Sequence, residues 1–295
     1  MAAARRLLLT GADGFTGRHM QAAAVAAGYS VHALQANLTD SDAVCLEVEA
    51  ANADVVIHLA AVSAVTHADE FAFYEVNVFG TQNLFVALTR QQHKPTAVLF
   101  ASSANVYGNC ATSPVSELEI PEPINHYALS KLASEGVARM FSDRLPVQTI
   151  RPFNYTGVGH DDRFVIPKIV NAYRTRQPIL KLGTVSVERE YNDVRFVVDT
   201  YLQLVQRGAA GQTYNLCSGV TYSLTEVLKT MNELTGHAPE IELDPTLVRA
   251  NELQRLCGSA QKLATVTDAR VPNTLRDLLR WMLNADDTPT TASGR

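Results

Sequence analysis

Short apolar runs alternate along this chain with longer stretches in which apolar residues recur at helical spacing. The first run, Arg6–Thr10, is rich in leucine and stops at Gly11. A helical stretch over residues 20–27 follows and is closed by Gly28. Residues 30–34 read as a second strand. Residues 54–61 are almost continuously apolar, the pattern of a parallel strand buried on both faces, and His58 within them reads as a satisfied core histidine. Helical spacing returns over 74–88, residues 96–108 and 148–154 read as two more strands, 199–206 as a helix and 211–217 as a returning strand. Ser223 is placed to cap a helix over 224–234, and a last helix over 274–283 carries Trp281, the only tryptophan and most simply a packing anchor. This alternation predicts an α/β fold, a doubly wound parallel sheet with a smaller C-terminal domain. The expected division is 1–153 and 154–284, with parts of 190–220 crossing back to the first unit and 285–295 a polar, frayed tail.

Between the first strand and first helix stand Gly11, Gly14 and Gly17, spaced G-x-x-G-x-x-G. Glycines there let backbone come close to a pyrophosphate, and a helix N-terminus offers unpaired N–H groups and partial positive charge. The turn therefore predicts a dinucleotide site, with Gly11, Gly14, Phe15, Thr16, Gly17 and Arg18 as candidate contacts. Ala60 and Ala61 leave room for a flat cofactor to pass over the sheet edge. A site that prefers NAD places an acid about 20 residues past the glycines. Here that zone reads Gln35-Ala36-Asn37-Leu38, and Arg18 follows Gly17 directly. NADP(H) is thus the expected cofactor and NAD(H) the alternative.

Tyr127 and Lys131 are four residues apart, one turn of a helix on one face. A free Tyr titrates at about 10 and is a poor acid or base at neutral pH; each unit of downward shift is worth about 1.4 kcal/mol. A Lys ammonium beside it favours the phenolate, so the pair predicts a lowered Tyr127 pKa, with a hydroxyl of the Ser102-Ser103 pair arriving from a separate strand end. By itself Tyr-x-x-x-Lys also fits an ordinary exposed helix face.

The totals narrow the class. In 295 residues, 46% are hydrophobic and 19% charged, as in ordinary soluble globular proteins. A net charge of -5 with no basic run argues against a nucleic-acid partner. Nothing approaches a membrane span. Cys45, Cys110, Cys217 and Cys257 are scattered, neither they nor the histidines show metal-ligand spacing, and a reduced cytoplasmic setting is expected.

The glycine spacing together with Ser103, Tyr127 and Lys131 resembles the extended short-chain dehydrogenase/reductase family. That resemblance implies a Rossmann-type fold and makes Ser103, Tyr127 and Lys131 the catalytic groups, with Ser102 supporting the backbone. It adds Asn37 and Leu38 near the adenine, with Asn37 where the family carries Asp, and Asn77 bracing the strand that carries the active site. Arg151-Pro-Phe-Asn154, Val165, Lys168, Arg189 and the pair Arg249 and Glu252 resemble the members that modify GDP-mannose. In those members Asn154, Val165 and Lys168 would contact the nucleotide sugar, Arg189 the diphosphate, Arg249 the diphosphate or ribose, and Glu252 the guanine. A carboxylate can accept both adjacent guanine donors, and arginine forks suit a diphosphate. Spacing alone leaves Arg249 and Glu252 equally readable as an i,i+3 helix salt bridge. Ala104 and Asn105 stand where 4,6-dehydratases of the family carry a carboxylate. The implied activity is therefore reduction of GDP-4-keto-6-deoxy-mannose at C4 to GDP-D-rhamnose, in a homodimer paired through the Asn77 and Tyr127 helices. A GDP-sugar epimerase or dehydratase, a reductase giving GDP-6-deoxy-D-talose, and a non-catalytic nucleotide sensor are the alternatives.

Overall fold

The computed structural model describes residues 4–63, 69–248, 254–268 and 273–285. At its centre β1 (Arg6–Thr10), β2 (Ser30–Ala33), β3 (Val55–His58), β4 (Ala97–Ala101), β5 (Val147–Pro152) and the late strand Thr213–Leu216 form one sheet. The spatial order is Thr213–Leu216, β5, β4, β3, β1, β2, and every pairing is parallel. Strand order reverses between β1 and β3, which opens a crevice at their carboxyl ends.

The strands are apolar throughout because both faces are covered. Leu7, Leu9, Val55 and Ile57 face Met20 and Ala24 of α1 (Phe15–Ala26) and Tyr201 and Leu204 of the helix Val194–Arg207. Leu8, Val56, Val98 and Phe100 face Val44 and Val48 of α2 (Ser41–Ala51) and Leu84 and Leu88 of the helix Gly80–Arg90. A third apolar cluster joins Ile169 and Tyr173 to Val227, Met231, Leu278 and Leu279. Trp281 packs against both this cluster and the first one, with the Arg195 guanidinium 3.9 Å from its ring centroid. Ser223 and Glu226 form a reciprocal cap on the helix Leu224–Thr235. No helix among the described residues is long and apolar enough to cross a membrane.

Several elements differ from their sequence pattern. Helix α1 begins at Phe15 rather than 20, since Gly14 is its extended N-cap. Helix α2 had no counterpart in the pattern, because only Val44, Val48 and Ala51 make its buried stripe; Asp40 starts it by accepting from the amides of Asp42 and Ala43. Strand β3 stops at His58 and β4 at Ala101, and beyond β4 the Ser103 hydroxyl accepts the Asn105 amide and turns the chain into a 3-10 helix, Ala104–Tyr107. Residues 73–79 wind as a π-helix before the α-helix resumes. His58 is buried between the Thr10 and Thr81 hydroxyls at 2.6 and 2.9 Å, and burial pushes its pKa down to about 3, so it is a neutral core group. Of the tail, only Ala285 lies among the described residues.

Beneath the carboxyl ends of β4 and β5 lies a buried ion pair. Arg151 donates from Nε and Nη2 to Glu135 at 2.9 and 2.7 Å, and from Nη1 to the Tyr107 hydroxyl at 2.9 Å. Tyr107 in turn donates to Asn215 on the late strand, 2.7 Å away. Ser102 donates to Glu135 at 2.5 Å, so its hydroxyl serves this side-chain network and not the backbone. Removing one partner of such a pair costs about 3–5 kcal/mol because the other charge stays buried. Glu135→Ala should therefore lower urea-unfolding stability by about that much, and by more than the double change Glu135→Leu with Arg151→Met, which leaves no lone charge.

Candidate active site

The site is assembled at the carboxyl edge of the sheet, and the end of β4 supplies much of it. The Phe100 ring lies 5.4 Å from the Lys131 ammonium, and the Ala101 carbonyl accepts from that ammonium at 2.7 Å. Ser102 reaches Glu135, and Ser103 lies beside the Tyr127 phenol. Opposite runs the helix His126–Met140, which Asn125 caps by accepting the Ala128 amide. Its face carries Tyr127, Lys131 and Glu135 at successive turns. Tyr127, Ser103 and Lys131 are 9%, 8% and 3% exposed, which removes the reading of an exposed helix face.

Asn77 holds this helix in place. Its side chain donates to Ser130 Oγ at 3.0 Å and exchanges hydrogen bonds with the Val62 backbone, while its carbonyl accepts from Ser134 at 2.7 Å. It thus ties the segment after β3 to the helix His126–Met140. The strand end bearing Ser103 is braced instead by Lys131 and Glu135.

The electrostatics run against the sequence expectation. Burial pushes the Tyr127 phenol up to about 12, although the Ser103 hydroxyl pulls the other way by hydrogen bonding. Burial also brings the Lys131 ammonium down to about 7, against the opposing pull of Glu135. Desolvation penalises phenolate and ammonium alike, and the ammonium is directed to the Ala101 carbonyl. At neutral pH Tyr127 is a protonated phenol, a state suited to donating a proton.

The glycine turn fits a dinucleotide. Gly11 has φ +69°, and a Cβ there would stand 2.8 Å from the backbone of Ala60; at Gly17 it would stand 2.0 Å from the Gly11 carbonyl oxygen. Backbone is packed there as closely as it can be. Gly14 caps α1 without a side chain, and no acid stands in its first turn, so the turn itself leaves the positive helix end unneutralised. Thr16 Oγ1 lies 2.7 Å from the Tyr155 hydroxyl, and Phe15 stacks on His160 with ring centroids 4.2 Å apart. Arg18 is committed, its Nη1 and Nη2 donating to the carbonyls of Asp13 and Gly159 at 2.6 and 2.9 Å. Asn37 is exposed and turns back on the Thr39 amide, whereas Leu38 is buried in the core and packs on Gly80. Ala60, with Ala61 next to it, donates its amide to Thr10 Oγ1.

The candidate substrate residues lie on separate elements around this edge. Ala104 is buried behind Ser103, and Asn105 is half-buried in the same 3-10 turn. Asn154 is exposed just past β5, where its carbonyl accepts the Asn192 amide. Val165 opens the helix Val165–Arg174, and Lys168 on that helix donates to the Lys181 carbonyl at 2.7 Å. Arg189 is half-buried in the strand Glu188–Arg189 and donates to the Glu188 carbonyl at 2.8 Å. Arg249 and Glu252 lie outside the described residues. Two open clefts, one lined by Arg5, Thr96 and Gln148 and one by Arg6, Asp54 and His93, sit at the opposite sheet edge and contain none of these groups. Among the described residues no cluster of His, Cys, Asp or Glu could hold a metal.

Sequence reading missed Tyr155 and Glu135. Glu135 carried a signal, since it follows Lys131 by four residues on the same helix face. Tyr155 carried none, for it reaches Thr16 only through folding.

A glycine turn at a switch point, beside a Ser–Tyr–Lys cluster at the same edge, defines a dinucleotide-dependent oxidoreductase of the short-chain type. Residues 7–217 match the NAD dependent epimerase/dehydratase family, and the chain belongs to it. It is 34% identical to GDP-6-deoxy-D-mannose reductase of Pseudomonas aeruginosa, over 95% of this chain and 96% of that one. GDP-6-deoxy-D-talose 4-dehydrogenase of Aggregatibacter actinomycetemcomitans is 28% identical, over 88% of this chain and 90% of its own. The solved structure of RMD from Pseudomonas aeruginosa complexed with NADPH superposes with a TM-score of 0.88 at 33% identity, covering 95% of this chain and 97% of that one. The cofactor is a nicotinamide dinucleotide.

The lowered Lys131 pKa makes stability depend on pH. Between pH about 7 and the ordinary 10.5 the unfolded chain binds a proton at Lys131 that the folded chain lacks, so folding gains stability as pH rises through that window. Below it, both states carry the charge and the burial penalty is complete. Lys131→Met should thus stabilise the protein most near pH 6, and that advantage should shrink towards pH 10. Thermal melts of both proteins across this range check it, and a difference independent of pH would contradict it.

Proposed function

We propose that this protein reduces the C4 ketone of GDP-4-keto-6-deoxy-D-mannose with NAD(P)H to give GDP-D-rhamnose. The observation that carries the reading is the buried, protonated Tyr127 phenol set beside Ser103, with Ala104 and Asn105 in place of any carboxylate. Elimination of water needs such a carboxylate acid/base; reduction needs only a hydride and a proton. The near full-length similarity to a GDP-6-deoxy-D-mannose reductase supports the sugar and the nucleotide.

Gly11, Gly14 and Gly17 with the N-terminus of α1 would hold the pyrophosphate, and bound NAD(P)H supplies the hydride. As the carbonyl carbon gains that hydride, its π electrons move to oxygen, and Tyr127 gives this oxygen its proton. Ser103 accepts from the Asn105 amide and hydrogen-bonds the Tyr127 phenol, and its O–H would turn from that phenol to the developing alkoxide. Lys131, able to take up a proton near neutrality, offsets the charge of the phenolate that results. Asn154, Val165, Lys168, Arg189, Arg249 and Glu252 are assigned to the GDP-sugar, and engaging it would require Lys168 to leave the Lys181 carbonyl. The talose dehydrogenase relative favours a second reading, the same C4 chemistry on the other sugar face. Pairing of two chains through the π-helical segment and the catalytic helix belongs to the proposal and is supported by exposed Phe79, Leu129 and Met140. The four free thiols support a cytoplasmic setting.

One NAD(P)H should be consumed per GDP-4-keto-6-deoxy-D-mannose, and proton NMR of the product should show the rhamno configuration at C4. Turnover of GDP-mannose without added reductant would count against reduction as the main activity. Tyr127→Phe should lower kcat at least about 100-fold while retaining substrate affinity.

A further inference from the structure

The register of the sheet sets the loop after β2 beside the glycine turn. Leu9 stands opposite Ala33, and the Leu34 amide donates to the Leu9 carbonyl. Just past this pairing the two chains leave the sheet from neighbouring strand ends, one into the glycine turn that starts at Gly11 and the other into the loop that holds Gln35. In dinucleotide sites of this type an acid at the end of the second strand takes the ribose 2′-hydroxyl, whereas an arginine nearby accommodates a 2′-phosphate.

The segment 35–37 carries no acid of its own, yet the fold delivers one to it. Glu47 on α2 accepts the Gln35 amide at 2.9 and 3.1 Å on its two oxygens and the Ala36 amide at 2.7 Å. It also lies 2.9 Å from His32 Nε2. Its side chain keeps 20% exposure, so the charge is felt at the surface of the loop. Two consecutive amides at this edge would suit an anion, and here the protein's own carboxylate has taken both. These bonds hold the carboxyl below the ordinary range despite its burial, so it is ionised at neutral pH. The one arginine of the first turn of α1, Arg18, is spent on two carbonyls.

We propose that Glu47 makes this protein prefer NAD(H) over NADP(H), by occupying with negative charge the place where a 2′-phosphate would need donors. The sequence expectation of NADP(H) is reversed by a residue that lies 30 positions beyond Gly17. Coenzyme choice concerns the adenosine end of the site and is separate from the sugar assigned above.

Binding measured without any sugar tests it. By calorimetry the unmodified protein should bind NADH at least about tenfold more tightly than NADPH, a difference of about 1.4 kcal/mol. Glu47→Gln, checked for native circular dichroism, should narrow that gap mainly by tightening NADPH. The loop rests on Glu47, so a measurement on the unmodified protein is needed as well. The ratio of dissociation constants for adenosine 2′,5′-bisphosphate and 5′-AMP should fall as salt is raised, because screening relieves repulsion. A ratio that rises with salt means the 2′-phosphate is attracted, and that overturns the proposal. So does equal or tighter NADPH binding. Failure to bind either coenzyme would remove the dinucleotide site and the proposal with it, whereas NADH binding without turnover of the GDP-keto-sugar would count against the sugar alone.

Discussion

A carboxylate and a guanidinium meet where almost no water reaches, and much of the active edge is hung on that contact. Glu135 belongs to the helix His126–Met140 and Arg151 to β5, and Ser102 ties β4 to the same carboxylate. The contact therefore fixes the distance between the strand end that carries Ser103 and the helix that carries Tyr127. Buried ion pairs are poor sources of net stability, because desolvation offsets most of their attraction. What this one supplies is position. Its bonds are directional, and a slip of the helix along the sheet would break several of them together.

Burial at this edge also decides the chemistry. A catalytic Tyr is readily imagined as a phenolate prepared in advance by its Lys. Here the environment that holds Tyr127, Ser103 and Lys131 still is dry enough to discourage charge on either titratable group. The phenol keeps its proton and the amine sits near neutrality. That is an arrangement for giving a proton to an oxygen that becomes negative, with Lys131 able to gain charge as Tyr127 loses it.

The glycine turn is also joined to the segment beyond β5. Residues 15, 16, 18 and 19, all in the first part of α1, contact Tyr155, Val158, Gly159 and His160. His160 is stacked between Phe15 and Phe164, with centroids 4.2 Å from each, and burial pushes its pKa down to about 4 so that it packs as a neutral ring. Phe164 leads directly into the helix bearing Val165 and Lys168. The pyrophosphate turn and the candidate sugar segment are thus one packed unit.

Period and punctuation were enough to read the parallel sheet, the glycine turn and the Tyr127 and Lys131 pair from the chain, because each depends on neighbours close in sequence or on a spacing that a helix preserves; that Ser103 joins the pair was implied only by the family resemblance. Even so, α2 escaped, since its buried stripe is short and interrupted by acids. Charge and long-range contact were decided only in three dimensions. Whether Tyr127 is acidic depends on how much water the fold excludes, and no spacing encodes that. Whether Arg18 or Lys168 is free to meet an anion depends on carbonyls far along the chain that claim them first. And the end of β2, which reads as lacking an acid, has one because parallel packing lays α2 alongside and brings Glu47 to its loop.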